Sequence, residues 1–223
     1  MRRRGILFDL DGTLADTAPD LVAVTNLMLA EAGRPPVPYA IARNEVSNGA
    51  VGLLRLAFRL ARDAPVDGAL RQQFLETYER IGHESSRLFL SLNEINDIVS
   101  RLGSAWGVVT NKPEALTRSL LERLGLLAHA GTVIGGDTLP ERKPHPAPLE
   151  LAARELGLEP RDCIYIGDAE RDVVAGRAAG MRTVATSYGY IRPGEDVAGW
   201  GADAIVDHPR RILPMLLAMT GSR

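Results

Sequence analysis

The stretch that most constrains how this chain can fold lies near its start and reads Gly5-Ile6-Leu7-Phe8-Asp9-Leu10-Asp11-Gly12-Thr13-Leu14. Its opening residues are apolar or aromatic with no polar break, which predicts a strand buried on both faces, as in a parallel sheet. The strand ends at Asp9, and Gly12 permits a sharp turn, so Asp9, Asp11 and the hydroxyl of Thr13 can converge beyond it. Open α/β sheets bind their ligands at that edge. An ordinary Asp- and Gly-containing turn has the same short pattern, so later stretches must decide.

The composition limits which partners to expect. With 223 residues, the chain can bury a substantial core without disulfides or structural metals. Its 26 Lys and Arg residues nearly balance 28 Asp and Glu residues, which gives no electrostatic reason to expect a nucleic-acid or membrane partner. The single cysteine, Cys163, lies in an apolar run and is predicted to be a buried core residue. No long apolar span or signal-peptide pattern is found, which predicts a cytoplasmic protein, as a monomer or a homodimer.

Two patterns divide the chain. Between residues 16 and 89 apolar side chains recur at helical spacing without a convincing strand, which predicts a small helical domain inserted after the first strand. The alternative is that these helices simply pack on the sheet. From residue 90 onward strands and helices alternate, as in a parallel sheet. The sequence therefore predicts an α/β fold, with a core formed by residues 1–15 and 90–223 and a helical insertion formed by residues 16–89.

Four segments that follow strands, or connect a strand to a helix, carry unusual polar residues. They are Asp9 with Asp11, Thr110 with Asn111, Lys143, and Asp168 with Asp172. Because the carboxyl ends of parallel strands meet at one edge, these segments are predicted to form one site. Carboxylates that face one another need a positive charge among them, and Asp9 and Asp168 suit a hard cation with oxygen ligands, which predicts Mg²⁺. Histidine and cysteine are absent from these segments apart from His145, which argues against zinc.

The other polar groups at this edge suit a phosphoryl group. Thr110, Asn111 and Lys143 offer donors and a positive charge for a tetrahedral oxyanion. One carboxylate can attack phosphorus to form an aspartyl phosphate, and a second can protonate the departing alkoxide and then activate water. Asp9 is predicted to be the nucleophile and Asp11 the acid and base. Taken singly, Lys143 would be read as an ordinary surface lysine.

Together these segments resemble the four motifs of the haloacid dehalogenase-like hydrolase superfamily. The matching stretches are Phe8-Asp9-Leu10-Asp11-Gly12-Thr13, Val109-Thr110-Asn111-Lys112, Lys143-Pro144, and Gly167-Asp168 with Asp172. The resemblance implies a Rossmann-like three-layer core with an inserted all-helical cap and a dependence on Mg²⁺. It also implies that the backbone carbonyl of Asp11 ligates the metal, and that Asp172 either orients a water ligand or pairs with Lys143.

The predicted site residues fall into three groups. Catalysis is assigned to Asp9, Asp11, Thr110 and Lys143; metal binding to Asp9, Asp11 and Asp168, supported by Asp172; and substrate binding to Thr13, Asn111, Lys112, Ser47, Asn48 and Gly49. The last three lie between the first helices of the insertion, where a cap that closes over the phosphate would set specificity. The alternative reading of Asn48-Gly49 is a simple turn.

Within the superfamily the chain is similar to the phosphoglycolate phosphatases. Its tail is closer to the branch of N-acetylmuramic acid 6-phosphate phosphatases, in the stretches Gly189-Tyr190-Ile191-Arg192-Pro193, Trp200-Gly201-Ala202-Asp203 and Val206-Asp207-His208-Pro209. The chain departs from the family pattern at Phe89-Leu90-Ser91-Leu92, where relatives usually return to the core through a glycine-containing turn.

The function predicted from these observations is a magnesium-dependent phosphomonoester hydrolase that acts on a small phosphorylated metabolite through an aspartyl phosphate. A phosphosugar mutase of the same superfamily is the alternative within this chemistry. A signalling or binding module with a phospho-aspartate switch is the alternative of another class, but receiver domains carry their aspartate after a middle strand and lack a helical insertion. The glycine-rich fingerprints of dinucleotide binding and of the P-loop are both missing.

Overall fold

The computed structural model describes residues 4–61, 63–81, 83–102 and 104–221. The strands are β1 (Arg4–Phe8), β2 (Ala15–Asp16), β3 (Arg87–Leu88), β4 (Ser104–Val109), β5 (Val133–Ile134), β6 (Cys163–Gly167), β7 (Arg182–Thr186) and β8 (Ala204–Val206). The helices are α1 (Ala18–Glu31), α2 (Tyr39–Ala42), α3 (Gly49–Phe58), α4 (Gly68–Ile81), α5 (Leu92–Leu102), α6 (Glu114–Arg123), α7 (Ala147–Glu155), α8 (Glu170–Ala178) and α9 (Ile212–Thr220). Within these ranges, no helix is both long enough and apolar enough to cross a bilayer.

Six strands of the described ranges form one parallel sheet in the order β5-β4-β1-β6-β7-β8. Strand β1 lies inside the sheet, between β4 and β6. Its side chains Ile6, Leu7 and Phe8 are fully buried, because helices cover both faces of such a sheet. The α/β fold and the buried first strand predicted from the sequence are therefore confirmed.

Alternate side chains of β1 enter two different hydrophobic layers. Ile6 and Phe8 pack in a cluster with apolar residues of α5, α6 and α9, whereas Leu7 packs with residues of α7 and α8. The core thus has three layers with the sheet in the middle. Cys163 on β6 is buried in the second cluster, as predicted, and burial raises the pKa of its thiol to about 11. This cysteine is an unreactive part of the core.

The helices α1 to α4 lie between β2 and β3, which pair with each other as a short antiparallel ribbon. These helices share a hydrophobic cluster that includes Leu53, Phe74 and Tyr78, and that also takes in Leu116 and Tyr190 from outside the insertion. The helical insertion predicted from the sequence is present, but the ribbon was not predicted. Strands of two residues are too short to show a periodic pattern.

The ribbon also carries the chain back into the core. The N–H of Phe89 donates to the carbonyl of Leu14 at 2.9 Å, directly after the pairing of β2 with β3. The return is therefore held by backbone hydrogen bonds and needs no glycine between Phe89 and Leu92. This is the physical reason why the chain tolerates its departure from the family pattern.

The buried carboxylate of Asp20 on α1 binds the segment that precedes β3 and leads the chain back to the core. Its Oδ1 accepts from the N–H of Ser85 at 3.0 Å, and its Oδ2 accepts from the hydroxyl of Ser86 at 2.6 Å. We expect Asp20→Ala to lower the free energy of unfolding by about 1–3 kcal/mol, because it leaves the buried hydroxyl of Ser86 without an acceptor. Urea denaturation measures this, with Glu31→Ala at the exposed end of α1 as the control. Equal effects of the two substitutions would contradict the prediction.

Candidate active site

Three adjacent strands end at one edge of the sheet and carry predicted site residues there. Asp9 follows β1, Thr110 follows β4 and Asp168 follows β6. Gly12 allows the turn after β1 to pack against Asp168: its φ is +86°, and a Cβ placed on it would lie 2.1 Å from Oδ2 of Asp168. The sharp turn predicted at Gly12 is confirmed, and the close approach of Asp168 means that only glycine fits there.

The ammonium group of Lys143 lies between two carboxylates. Its Nζ is 3.0 Å from Oδ1 of Asp9 and 2.8 Å from Oδ1 of Asp172, and none of the three side chains is more than 5% exposed. A buried lysine is tolerated because it is paired on both sides. Of the two roles left open for Asp172, the structure shows the pairing with Lys143.

Two further groups fix the position of Lys143. Its Nζ donates to the carbonyl of Val109 at 3.1 Å and to the hydroxyl of Tyr165 at 2.7 Å, and that hydroxyl donates to the same carbonyl. The side chain of Asn111 accepts from the N–H of Lys143 at 3.1 Å and donates to its carbonyl at 2.9 Å. Asn111 therefore joins two of the predicted segments, and substrate binding by Asn111 stays a prediction. Tyr165 was missed because it reads as one more apolar strand residue, although a buried tyrosine hydroxyl needs a partner.

Three carboxylates form the group that could hold a metal ion. Asp9, Asp168 and Asp172 each offer an oxygen, and these oxygens lie within 4.8 Å of one another. Oδ2 of Asp168 accepts from the N–H of Tyr190 at 2.9 Å and from the hydroxyl of Ser47 at 2.8 Å. Its Oδ1 is buried and has no hydrogen-bond partner among the described residues. An oxygen-only cluster with one unsatisfied, buried carboxylate oxygen fits a hard cation such as Mg²⁺.

The same surroundings disfavour the ionised form of Asp168. Burial, followed by the negative charges of Asp9 and Asp172, raises the pKa of the Asp168 carboxyl to about 7. A divalent cation would offset this cost, because it replaces the proton as the partner of the carboxylate.

The carboxylate of Asp11 has hydrogen-bond partners outside this cluster. Its Oδ1 accepts from the hydroxyl of Thr17 at 2.6 Å and from Nζ of Lys112 at 3.1 Å. Lys112 also donates to the hydroxyl of Tyr78 at 3.0 Å and lies 4.3 Å from the centre of its ring. Burial alone would lower the pKa of Lys112, but the Asp11 carboxylate and Tyr78 outweigh it and the net direction is upward. Metal ligation by the backbone carbonyl of Asp11 stays a prediction.

Tyr78 and Thr17 are site residues that the sequence did not indicate. Tyr78 lies on the apolar face of α4 and Thr17 precedes α1, so both read as ordinary helix residues. Only the packing of the insertion against the sheet edge brings them to Lys112 and Asp11.

A cavity of about 790 Å³ opens between the insertion and the sheet edge. Nine predicted site residues line it: Asp9, Asp11, Ser47, Asn48, Gly49, Thr110, Asn111, Lys112 and Lys143. Thr13 does not: it is fully buried, and its hydroxyl has no hydrogen-bond partner in the described part of the chain. The structure thus brings together most of the predicted site, while substrate binding by Thr13 stays a prediction without a contact to the cavity.

The predicted substrate loop is not an open loop. Ser47 and Asn48 end a turn of 3₁₀ helix that spans Arg43–Asn48, and Gly49 is the first residue of α3. Asn48 donates to the carboxylate of Glu45 at 3.1 Å, and Ser47 donates to Asp168. Ser47 therefore contacts the carboxylate cluster itself, in addition to lining the cavity.

The fold has a buried carboxylate directly after the first strand of a parallel sheet and a helical insertion that borders the same edge. Residues 6–186 match the sequence profile described as "Haloacid dehalogenase-like hydrolase". The chain belongs to the haloacid dehalogenase-like hydrolase family.

Proteins with similar sequences indicate which kind of hydrolase this chain is. The chain is 43% identical over 216 residues to the N-acetylmuramic acid 6-phosphate phosphatase of Pseudomonas aeruginosa, covering 97% of this chain and 96% of that one. It is 44% identical over 209 residues to a phosphoglycolate phosphatase of Xanthomonas campestris pv. campestris, covering 94% of each. A crystal structure of a predicted phosphoglycolate phosphatase from Haemophilus somnus 129PT superposes with a TM-score of 0.82 at 29% identity, covering 97% of this chain and 99% of that one. The enzyme class predicted from the sequence, a phosphatase, is confirmed.

The raised pKa of Asp168 has a consequence for stability. In the unfolded chain this carboxyl ionises near the ordinary value of 3.8, and in the folded chain without metal near 7. The folded chain therefore holds the proton more tightly than the unfolded chain does. The free energy of unfolding falls as the pH rises from about 4 to above 7, because the buried carboxyl must ionise, and it recovers as the pH falls back toward 4. We expect Asp168→Asn, with chelator present, to raise the free energy of unfolding by roughly 2–4 kcal/mol near pH 8 and to change it little near pH 4.

Urea denaturation at both pH values checks this prediction. The matched control is Asp97→Asn on the exposed face of α5, where the carboxylate pairs with Arg101. A loss of stability of the Asp168→Asn variant near pH 8 would contradict the account of its buried charge.

Proposed function

We propose that the protein is a magnesium-dependent phosphomonoester hydrolase that acts on a small phosphorylated metabolite through a phosphorylated Asp9. The observation that carries the proposal is the buried contact of Lys143 with Asp9 and Asp172 beside a cavity that also holds Asp11. A fixed cation next to a nucleophilic carboxylate attracts a phosphoryl group and stabilises the charge that develops on its oxygens.

The hydrogen bonds of Asp9 indicate which oxygen attacks. Its Oδ1 accepts from the N–H of Leu10 at 2.8 Å and contacts Lys143 at 3.0 Å. Its Oδ2 accepts no hydrogen bond within the described residues, so we assign the attack to Oδ2. A bond forms from Oδ2 to phosphorus while the bond from phosphorus to the alcohol oxygen breaks, and water then cleaves the aspartyl phosphate to release inorganic phosphate.

Mg²⁺ fits beside this nucleophile. Asp9 and Asp168 would hold it through their carboxylates, with Asp172 adjacent, and the unsatisfied Oδ1 of Asp168 supports this assignment. When bound, the ion supplies charge stabilisation to the phosphoryl oxygens.

Asp11 is suited to transfer the protons. Its Oδ1 lies 3.1 Å from Nζ of Lys112 at the wall of the cavity, where a carboxylate can act as the base that activates water. In the first step the carboxyl group at this position would protonate the departing alkoxide. Thr110 lines the cavity and is placed to contact the phosphoryl group.

The domain organisation is part of the proposal. Residues 1–15 and 90–223 form the catalytic core, and residues 16–89 form a cap that closes over the substrate and excludes water. The ribbon of β2 with β3, where the chain leaves and re-enters the sheet, and the hydrophobic cluster of the insertion support this division. Ser47, Asn48 and Gly49 contribute the cap's contacts to the substrate.

The contact of Tyr78 with Lys112 connects the cap to the proton-transferring carboxylate. We expect Tyr78→Phe to lower kcat by roughly 3- to 10-fold, because Lys112 loses one hydrogen-bond partner and its ammonium is less fixed beside Asp11. Steady-state hydrolysis of p-nitrophenyl phosphate measures this. Tyr39→Phe, on the exposed start of α2, is the matched control and is expected to keep the native rate. An unchanged kcat of Tyr78→Phe would remove Tyr78 from the mechanism.

The substrate is the finer part of the proposal. The two relatives compared above are named for N-acetylmuramic acid 6-phosphate and for phosphoglycolate, so these two esters are the first candidates. We expect phosphate release from at least one of them with Mg²⁺, and loss of release with chelator. The two esters are measured side by side. A preference for N-acetylmuramic acid 6-phosphate would assign the protein to the metabolism of that amino sugar acid. A preference for phosphoglycolate would assign it to the removal of that two-carbon acid.

A variant of the nucleophile tests the mechanism. Asp9→Asn is expected to lower kcat by more than about 10³-fold, because an amide does not attack phosphorus, while Asp97→Asn keeps the native rate. Circular dichroism verifies that both variants are folded. Residual hydrolysis at the native rate in Asp9→Asn would refute the phosphorylated intermediate, and isomerised sugar phosphate without phosphate release would favour the mutase.

A further inference from the structure

Several arginines line the cavity, and most of them are engaged by the protein. They are Arg55, Arg71, Arg142, Arg171 and Arg192. The guanidinium groups of Arg55 and Arg171 donate to backbone carbonyls, and that of Arg192 forms two hydrogen bonds with the carboxylate of Glu45. These three are held by partners within the protein and shape the walls of the cavity.

The side chains of the other two make no hydrogen bond or ion pair within the described ranges. Arg142 directly precedes Lys143, so it belongs to the end of the cavity that receives the phosphoryl group. Arg71 lies on α4 in the cap, on a different element from every residue of the catalytic edge. An exposed guanidinium at the wall of a cavity, without a counter-ion, is a ready partner for an anionic group.

Arg71 and the residue that reaches the catalytic edge, Tyr78, lie on the same helix, α4. Arg71, Phe74, Leu75 and Tyr78 all line the cavity, and their spacing places them on one face of the helix. The hydroxyl of Tyr78 marks the catalytic end, because it lies 3.0 Å from Nζ of Lys112. Seven residues at 1.5 Å per residue separate Arg71 from Tyr78 by about 10 Å along the axis.

The wall between these two positions is apolar. Phe74 and Leu75 of α4 are joined there by Leu56 of α3 and by Leu60. Such a wall suits the carbon skeleton of a substrate, with its phosphate at Lys143 and a second polar group at the far end. A two-carbon acid such as phosphoglycolate keeps its carboxylate next to its phosphate and does not reach across.

We infer that Arg71 binds a carboxylate at the end of the substrate remote from its phosphate, since Arg71 lies about two helical turns along α4 from Tyr78. The substrate class is a phosphorylated sugar acid, and Arg71 determines specificity for it. The inference rests on the proposed function for the phosphate end, and it assigns to the cap a charge-assisted contact with the acid end.

Binding measurements on the Asp9→Asn background test the inference without turnover. The two probes are N-acetylmuramic acid 6-phosphate and N-acetylglucosamine 6-phosphate, which is the same sugar phosphate without the acidic lactyl ether. Calorimetry is expected to give a Kd roughly 10- to 100-fold lower for the acid than for the neutral ester. Adding Arg71→Gln is expected to remove this difference and to leave the Kd of the neutral ester within about twofold.

A matched control and kinetic readouts complete the test. Arg80→Gln lies on the same helix, outside the cavity lining, and is expected to change neither Kd. In the otherwise native chain, Arg71→Gln is expected to raise KM for the acid and to leave kcat nearly unchanged, with partial rescue by Arg71→Lys.

Equal binding of the two probes, no detectable binding of either, or an equal loss for both in Arg71→Gln would overturn the inference. The proposed function has its own readout. If the native chain releases phosphate from both probes at the same rate, the phosphatase stands and only the role of Arg71 fails. If it binds the acid through Arg71 but releases no phosphate from any ester, the phosphatase fails and the carboxylate contact stands.

Discussion

The ammonium group of Lys143, buried between Asp9 and Asp172, is the interaction on which the rest of the site depends. Asp9 after β1, Asp168 after β6 and Asp172 in the first turn of α8 would repel one another in a buried setting. Lys143 supplies a positive charge that lets these carboxylates lie together. Its position is over-determined by the hydroxyl of Tyr165 and by both atoms of the Asn111 amide. Asp9, the carboxylate cluster and the ammonium group of Lys143 are therefore held in one fixed arrangement within the substrate-free chain.

The helical insertion meets this arrangement through polar contacts as well as through packing. The hydroxyl of Ser47 reaches Asp168, and the hydroxyl of Tyr78 reaches Lys112, the partner of Asp11. Asp168 belongs to the cluster that could hold a cation, and Lys112 pairs with Asp11. The insertion is thus joined by hydrogen bonds to charged groups of the sheet edge.

Much of the fold and of the catalytic edge could be predicted because their signals are local in sequence. An unbroken apolar run identified β1, and carboxylates, a threonine and a lysine after strands identified Asp9, Thr110, Lys143 and Asp168 as neighbours. The ribbon of β2 with β3 escaped prediction because its strands are two residues long. Thr13 was expected to face a ligand, but the turn at Gly12 buries it away from the cavity.

The sequence by itself determined the α/β fold, the polar residues that follow the strands of the sheet and the family of the protein, since periodicity and motif spacing are properties of neighbouring residues. Only the tertiary structure decided which side chains hold Lys143, how Asp11 is paired and that Arg71 lines the cavity with no side-chain partner among the described residues. In the sequence, Tyr78 and Arg71 look like ordinary residues of the helix α4. They acquire a role because the insertion folds back over the sheet edge, and contacts between segments so distant along the chain leave no local pattern.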